Sequence, residues 1–144
     1  MRIIVAIIAV FYTFTTPALA QNVFDYFENG TWGFSRNHEP SCANNPHTIR
    51  FSSDHKRVKF TWSLPMKNYL QEHVTGIGYD VLSYDSDGIT MAMDGEQRLT
   101  FEGKPVVWIL KPIPDHMYCW GRTDWPSTGC IAIHIKCPDA EFSS

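Results

Sequence analysis

The residues best equipped for chemistry lie in the last third of the chain. From 118 to 126 the sequence reads Tyr118-Cys119-Trp120-Gly121-Arg122-Thr123-Asp124-Trp125-Pro126. Tyr, Trp and Arg dominate interface energetics because each combines a large rigid area with a polar end. Trp120, Arg122, Asp124 and Trp125 therefore form a candidate interaction loop. The structural alternative is that a Trp beside a disulfide in a hairpin simply covers the bridge. Catalysis finds less support. No Gly-x-Ser-x-Gly elbow occurs, and cysteines that are all bridged offer no thiolate. Asp115-His116 lies in a proline-flanked loop and reads as a turn. Six histidines raise the question of a metal, but none has zinc-finger or His-Glu-x-x-His spacing. His38, His47, His55, His73 and His116 fall in expected loops, turns or a short helix, where a solvated imidazole is the default, and His134 is expected to face outward on a strand. Asp85-x-Asp87-Gly88 lacks the later acidic ligands of a calcium loop and suits a hairpin turn. No catalytic residue, metal or cofactor is assigned, and the reading is not an enzyme.

The four cysteines, Cys42, Cys119, Cys130 and Cys137, need an oxidising compartment if they are to pair. The first twenty residues point to one. Arg2, an apolar run to Tyr12 and the small-residue pattern Ala18-Leu19-Ala20 follow the order of a secretory signal. The run is shorter than the ~20 residues that cross a bilayer. Residues 1–20 are thus expected to be removed, leaving 21–144 as a single exported domain, periplasmic or extracellular, with no integral membrane segment. Two bridges allow three pairings. Cys130 and Cys137 would end one strand about 23 Å apart, beyond the ~7 Å reach of a disulfide. A hairpin centred on Asp124 and Trp125 brings Cys119 opposite Cys130 and leaves Cys42 for Cys137. Without Arg2, eleven Lys and Arg stand against 15 Asp and Glu, a net charge near −4. Nucleic acid, which is bound through clustered cations, is therefore disfavoured as a partner.

The elements that must position these residues are mostly strands. Beyond Gly30 apolar residues alternate with polar ones, the period of a half-buried strand. Strands are expected at 31–36, 48–52, 57–62, 77–84, 89–93, 106–111, 117–122 and 131–136, with Leu99 and Phe101 on a further short run. Pro112 and Pro114 should end the strand at 106–111. Met66, Tyr69, Leu70 and Val74 fall at helical spacing between Pro65 and Gly76, so a short helix is expected over 65–74. Short antiparallel strands in hairpin sequence must manage their edges. The expected fold is all-β, a small up-and-down barrel of about eight strands with one short helix.

At Gly30-Thr31-Trp32, opening the first strand, the sequence resembles the lipocalin and wider calycin families of ligand-binding barrels, whose Gly-x-Trp puts a structural Trp at one end. The resemblance implies an interior able to take a small apolar ligand. Phe51, Phe60, Trp62, Tyr79, Val81, Met91, Met93, Phe101 and Trp108 are the expected inward residues. They either fill the barrel or line a pocket. The expected role is an exported binding module, with Trp62, Tyr79, Met91, Met93 and Trp108 around a small apolar ligand. The alternative is a protein-interaction module, such as an inhibitor of an exported hydrolase, using the 120–126 loop.

Overall fold

The computed structural model describes residues 22–34 and 42–138, so the expected leader over 1–20, His38 and the end of the first expected strand lie outside the described residues. Among the described residues, one helix, α1 (Val23–Glu28), precedes eight strands: β1 (Trp32–Phe34), β2 (His47–Phe51), β3 (Arg57–Lys67), β4 (His73–Asp85), β5 (Gly88–Met93), β6 (Trp108–Ile113), β7 (Met117–Arg122) and β8 (Ile131–Lys136). Each strand pairs with the next, and β8 returns to β1, with Gly33 opposite Ile135. The result is a closed antiparallel eight-stranded barrel, all-β apart from α1, as the alternation predicts. Among the described residues no helix is long and apolar enough to cross a membrane.

Local chemistry sets the hairpins. Ile49 faces Phe60 and Phe51 faces Val58 across β2 and β3. Their turn is held by the Asp54 carboxylate, which accepts from the Ser52 hydroxyl at 2.6 Å and the Lys56 amide at 3.1 Å. Between β4 and β5 the Asp85 carboxylate accepts from the amides of Asp87 and Gly88. Gly88 itself has φ +154°, and a Cβ there would meet the Leu110 carbonyl oxygen at 2.5 Å. The Asp85-x-Asp87-Gly88 motif is thus a hairpin turn.

The two barrel ends differ. Helix α1 packs under the end that carries the β2–β3, β4–β5 and β6–β7 turns. Phe24 and Phe27 are buried, and Phe24 stacks on His55 and meets Phe51 and Tyr84 edge-on. The Tyr26 hydroxyl lies within 2.8 Å of the Ile113 carbonyl and 2.7 Å of the Met117 carbonyl. Trp32 is fully buried and donates its indole N–H to the Phe27 carbonyl at 3.0 Å. This end is sealed.

Four expectations are corrected here. No helix forms over 65–74. Instead β3 and β4 extend to Lys67 and from His73, and the Asn68 side chain organises the tip by accepting from the amides of Leu70 and Glu72. Pro65, which has no N–H, falls in the irregular stretch between Thr61 and Met66 where the ladder is interrupted. Among the described residues the one helix is α1, whose N-cap is Asn22, accepting from the Phe24 amide. Phe101 is not inward but fully exposed, in the turn between the bridge residues Leu99 and Pro105. The sixth strand starts at Trp108 and runs through Pro112 to Ile113. Pro112 pairs only on its β7 side, beyond the last β5 partner at Leu110, so its missing N–H costs no ladder bond.

Both disulfides have the expected pairing. Cys42–Cys137 ties the loop before β2 to the chain after β8, and Cys119–Cys130 crosses the β7–β8 hairpin. Gly33 lets Cys42 lie against β1, since a Cβ there would be 2.7 Å from the Cys42 amide nitrogen and 2.9 Å from its sulfur. All four cysteines are bridged, which fits an oxidising periplasmic or extracellular environment.

Candidate binding site at the open end of the barrel

The end opposite α1 carries the β3–β4 tip, the long β5–β6 connection and the β7–β8 loop, and here the interior opens into a cavity of about 260 Å³. Its floor and walls alternate inward along the strands: Ile77 and Tyr79 from β4, Met93 from β5, Trp108 from β6, Trp120 from β7. Trp120 packs 5.2 Å from the Phe60 ring, 5.7 Å from Tyr79 and 6.0 Å from Trp108. Ile131 and Ala132 complete one side.

The mouth is built from connections locked to one another. The Tyr69 hydroxyl, on the β3–β4 tip, donates to the Gly95 carbonyl at 2.6 Å and accepts from the Gln97 amide at 3.2 Å. The Arg98 guanidinium lies 4.0 Å above the Tyr69 ring and 5.2 Å from Trp108. Its Nε and Nη2 each donate to Glu96 at 2.8 Å, and the Trp108 indole N–H donates to the same carboxylate at 3.1 Å. Burial pushes the Glu96 carboxyl up, but the hydrogen bonds from Arg98 and Trp108 outweigh it and hold the group at about 2. Glu96 is therefore an anion at neutral pH. Burial pushes the Tyr79 phenol up, so it is neutral.

The β7–β8 loop forms the adjoining rim. Arg122 makes a two-point pair with Asp124 at 2.9 and 2.8 Å and lies over the Trp125 ring at 5.2 Å. Trp125 meets Trp108 edge-on at 6.1 Å. The Lys111 ammonium donates to the carbonyls of Ser127 and Gly129, pinning the loop to β6.

Of the five residues expected around a ligand, Tyr79, Met93 and Trp108 line the cavity. Met91 is fully buried in the packed core, and Trp62 packs on His47 and Phe60. Of the expected interaction loop, Trp120 belongs to the cavity, while Arg122, Asp124 and Trp125 engage one another beside Trp108. The two expected surfaces are one continuous aromatic assembly. Met66, Tyr69 and Arg98 are additions to the lining, and Glu96 holds Arg98 and Trp108 in place behind it. Their signal in sequence was faint, because they sit on segments read as a helix and a turn.

Below the cavity lies a polar cluster that the sequence reading missed. His47 and His134 are buried rather than solvated or outward. His47 Nε2 and the fully buried Tyr118 hydroxyl share a hydrogen bond of 2.5 Å, and the His134 ring stacks on Tyr118 at 4.5 Å. Burial lowers His47 to about 4. Burial, with His47 nearby, lowers His134 to about 3. Both are neutral imidazoles in the fold. Ala132, at φ 51°, accompanies a break in register between β7 and β8, so Tyr118 faces His134 while Trp120 faces Ile131. That bulge changes the phase of β8 and turns His134 inward. Among the described residues no group of three or more His, Cys, Asp and Glu could hold a metal.

Comparison with models of protein families, with characterised proteins and with solved structures finds no match.

Proposed function

We propose that this chain is an exported binding module that holds a small apolar ligand in the open end of its barrel. The observation that carries the reading is the asymmetry of the barrel. One end is sealed by Phe24, Phe27 and Trp32, and the other holds a cavity of about 260 Å³ walled by Tyr69, Tyr79, Met93, Trp108 and Trp120. Apolar walls with a few fixed polar groups are the usual make-up of a small-molecule site. Gly30-Thr31-Trp32 at the sealed end supports grouping the chain with lipocalin- and calycin-like barrels. The test is native mass spectrometry of the mature protein purified from its own host, followed by the Trp108→Ala variant. A small molecule should co-purify with the wild type and be lost from the variant.

A second reading, a protein-interaction module such as an inhibitor of an exported hydrolase, is favoured by one feature. The 123–129 loop is braced by Cys119–Cys130 and by Lys111, so little ordering cost would attend its docking. A protein that is empty in the mass spectrum, and that captures a protein from its own compartment through Trp125, would support this reading over the first.

A further inference from the structure

We propose that the cavity selects an uncharged, flat aromatic ligand bearing a hydrogen-bond acceptor, because the two charged groups at its mouth, Arg98 and Glu96, are already spent on each other. The inference rests on the binding-module reading and names the ligand class for that site. Shape follows from the walls. Tyr69, Tyr79, Trp108 and Trp120 present rings, and aromatic groups pack on rings by offset stacking or edge to face.

Charge follows from the pair. An anionic ligand drawn to Arg98 would have to approach the Glu96 carboxylate, which is bound at both oxygens by the same guanidinium and is almost wholly buried as a side chain. A cationic ligand drawn to Glu96 would have to displace Arg98 from the faces of Tyr69 and Trp108. An anion could reach only the Nη1 edge of Arg98, with the Glu96 charge beside it, and a cation would meet the Arg98 charge, so neither would be fully compensated against largely apolar walls. Lys67 also borders the cavity but is exposed, so its ammonium stays hydrated and adds little attraction.

The acceptor follows from the donors that remain. The pair uses Arg98 Nε and Nη2 and leaves Nη1 outside it. The neutral Tyr79 phenol lines the same cavity. Both can donate, so a carbonyl, ether or hydroxyl oxygen on the ligand would be held.

The experiment is calorimetric titration of the mature, disulfide-bonded protein at pH 7 with three probes on one ring system: 2-naphthol, 2-naphthoate and 2-naphthylmethylammonium. Expected is 2-naphthol binding about tenfold or more tighter than either ion. In Glu96→Gln, with Arg98 left unpaired, the order should reverse in favour of 2-naphthoate. A wild-type protein that prefers either ion overturns this inference and leaves the binding module standing. Binding of none of the three overturns this inference, and the binding-module reading is then decided by whether a small molecule co-purifies with the wild-type protein and is lost from Trp108→Ala. The wild-type ranking decides the matter even if Glu96→Gln fails to fold.

Discussion

His47 and His134 show what a single imidazole does when a strand carries it inside. Folded, the two stay neutral down to about pH 4 and about pH 3, because burial penalises the charged ring. Unfolded, each takes a proton near its ordinary value of about 6.5. A base whose folded value is depressed in this way contributes fully above the unfolded value, and the contribution is lost as pH falls from about 6.5 toward the folded value. Urea unfolding between pH 7.5 and 4.5 should therefore show stability falling by up to about 1.4 kcal/mol per pH unit for each ring. Glu96 acts separately, between its ordinary value and about 2, since its stabilising bonds are lost only on protonation. The two rings should also respond differently to replacement. His134 Nδ1 is buried with no hydrogen-bond partner among the described residues, so His134→Phe keeps the stack on Tyr118 and removes an unpaired polar atom. It should cost little at pH 7 and halve the acid slope. His47→Phe instead strips the Tyr118 hydroxyl of its partner and should cost about 1–3 kcal/mol. Equal effects from the two variants, or a slope unchanged in His134→Phe, would contradict this account.

At the scale of elements, α1 is too short to stand alone, since isolated helices of fewer than about 12 residues are marginal in water. It exists because the barrel end receives it. Phe27→Ala should cost about 3–5 kcal/mol in chemical denaturation, as expected for a fully buried ring. A loss below about 1 kcal/mol would mean the helix only rests on the barrel. Legibility followed the same physics. Hairpins with regular alternation, such as Ile49 and Phe51 against Val58 and Phe60, could be read directly, because period two has one structural solution. The pattern even implied an inward His47, two residues before Ile49, which the assumption of a loop concealed. The 65–74 segment misled because Met66, Tyr69, Leu70 and Val74 satisfy a helical period, while the deciding feature was the turn chemistry of Asn68. β8 misled because a bulge at Ala132 shifts its phase, and nothing in Ile131, Ile133 and Ile135 announces it. The cavity was legible in its strand residues, Tyr79, Met93 and Trp108. It was not legible in Tyr69, Glu96 and Arg98, which meet there only through connections that fold over the mouth.

For the whole molecule, the two disulfides close loops of very different length, one at the barrel seam and one beside the open end. Cys42–Cys137 closes a loop of 95 residues and reinforces the seam where β1 meets β8, far along the chain from the mouth connections. Cys119–Cys130 closes only 11 residues, but it lies in the hairpin that supplies Trp120, Trp125, Ile131 and Ala132 to the mouth and rim. Chain entropy then predicts about 4.7 kcal/mol of stabilisation from the long bridge and about 3 from the short one. Replacing Cys42 and Cys137 by Ser should lower the denaturation midpoint more, yet leave 2-naphthol affinity intact in the fraction that remains folded. Replacing Cys119 and Cys130 should lower the midpoint less and weaken 2-naphthol binding, because the β7–β8 hairpin would lose its crosslink and the aromatic wall its fixed geometry. The two measurements move in opposite order only if the mouth is a site whose shape matters. Affinity losses that simply track the stability losses would mean that the bridges serve the barrel alone, and that the shape of the open end does not depend on Cys119–Cys130.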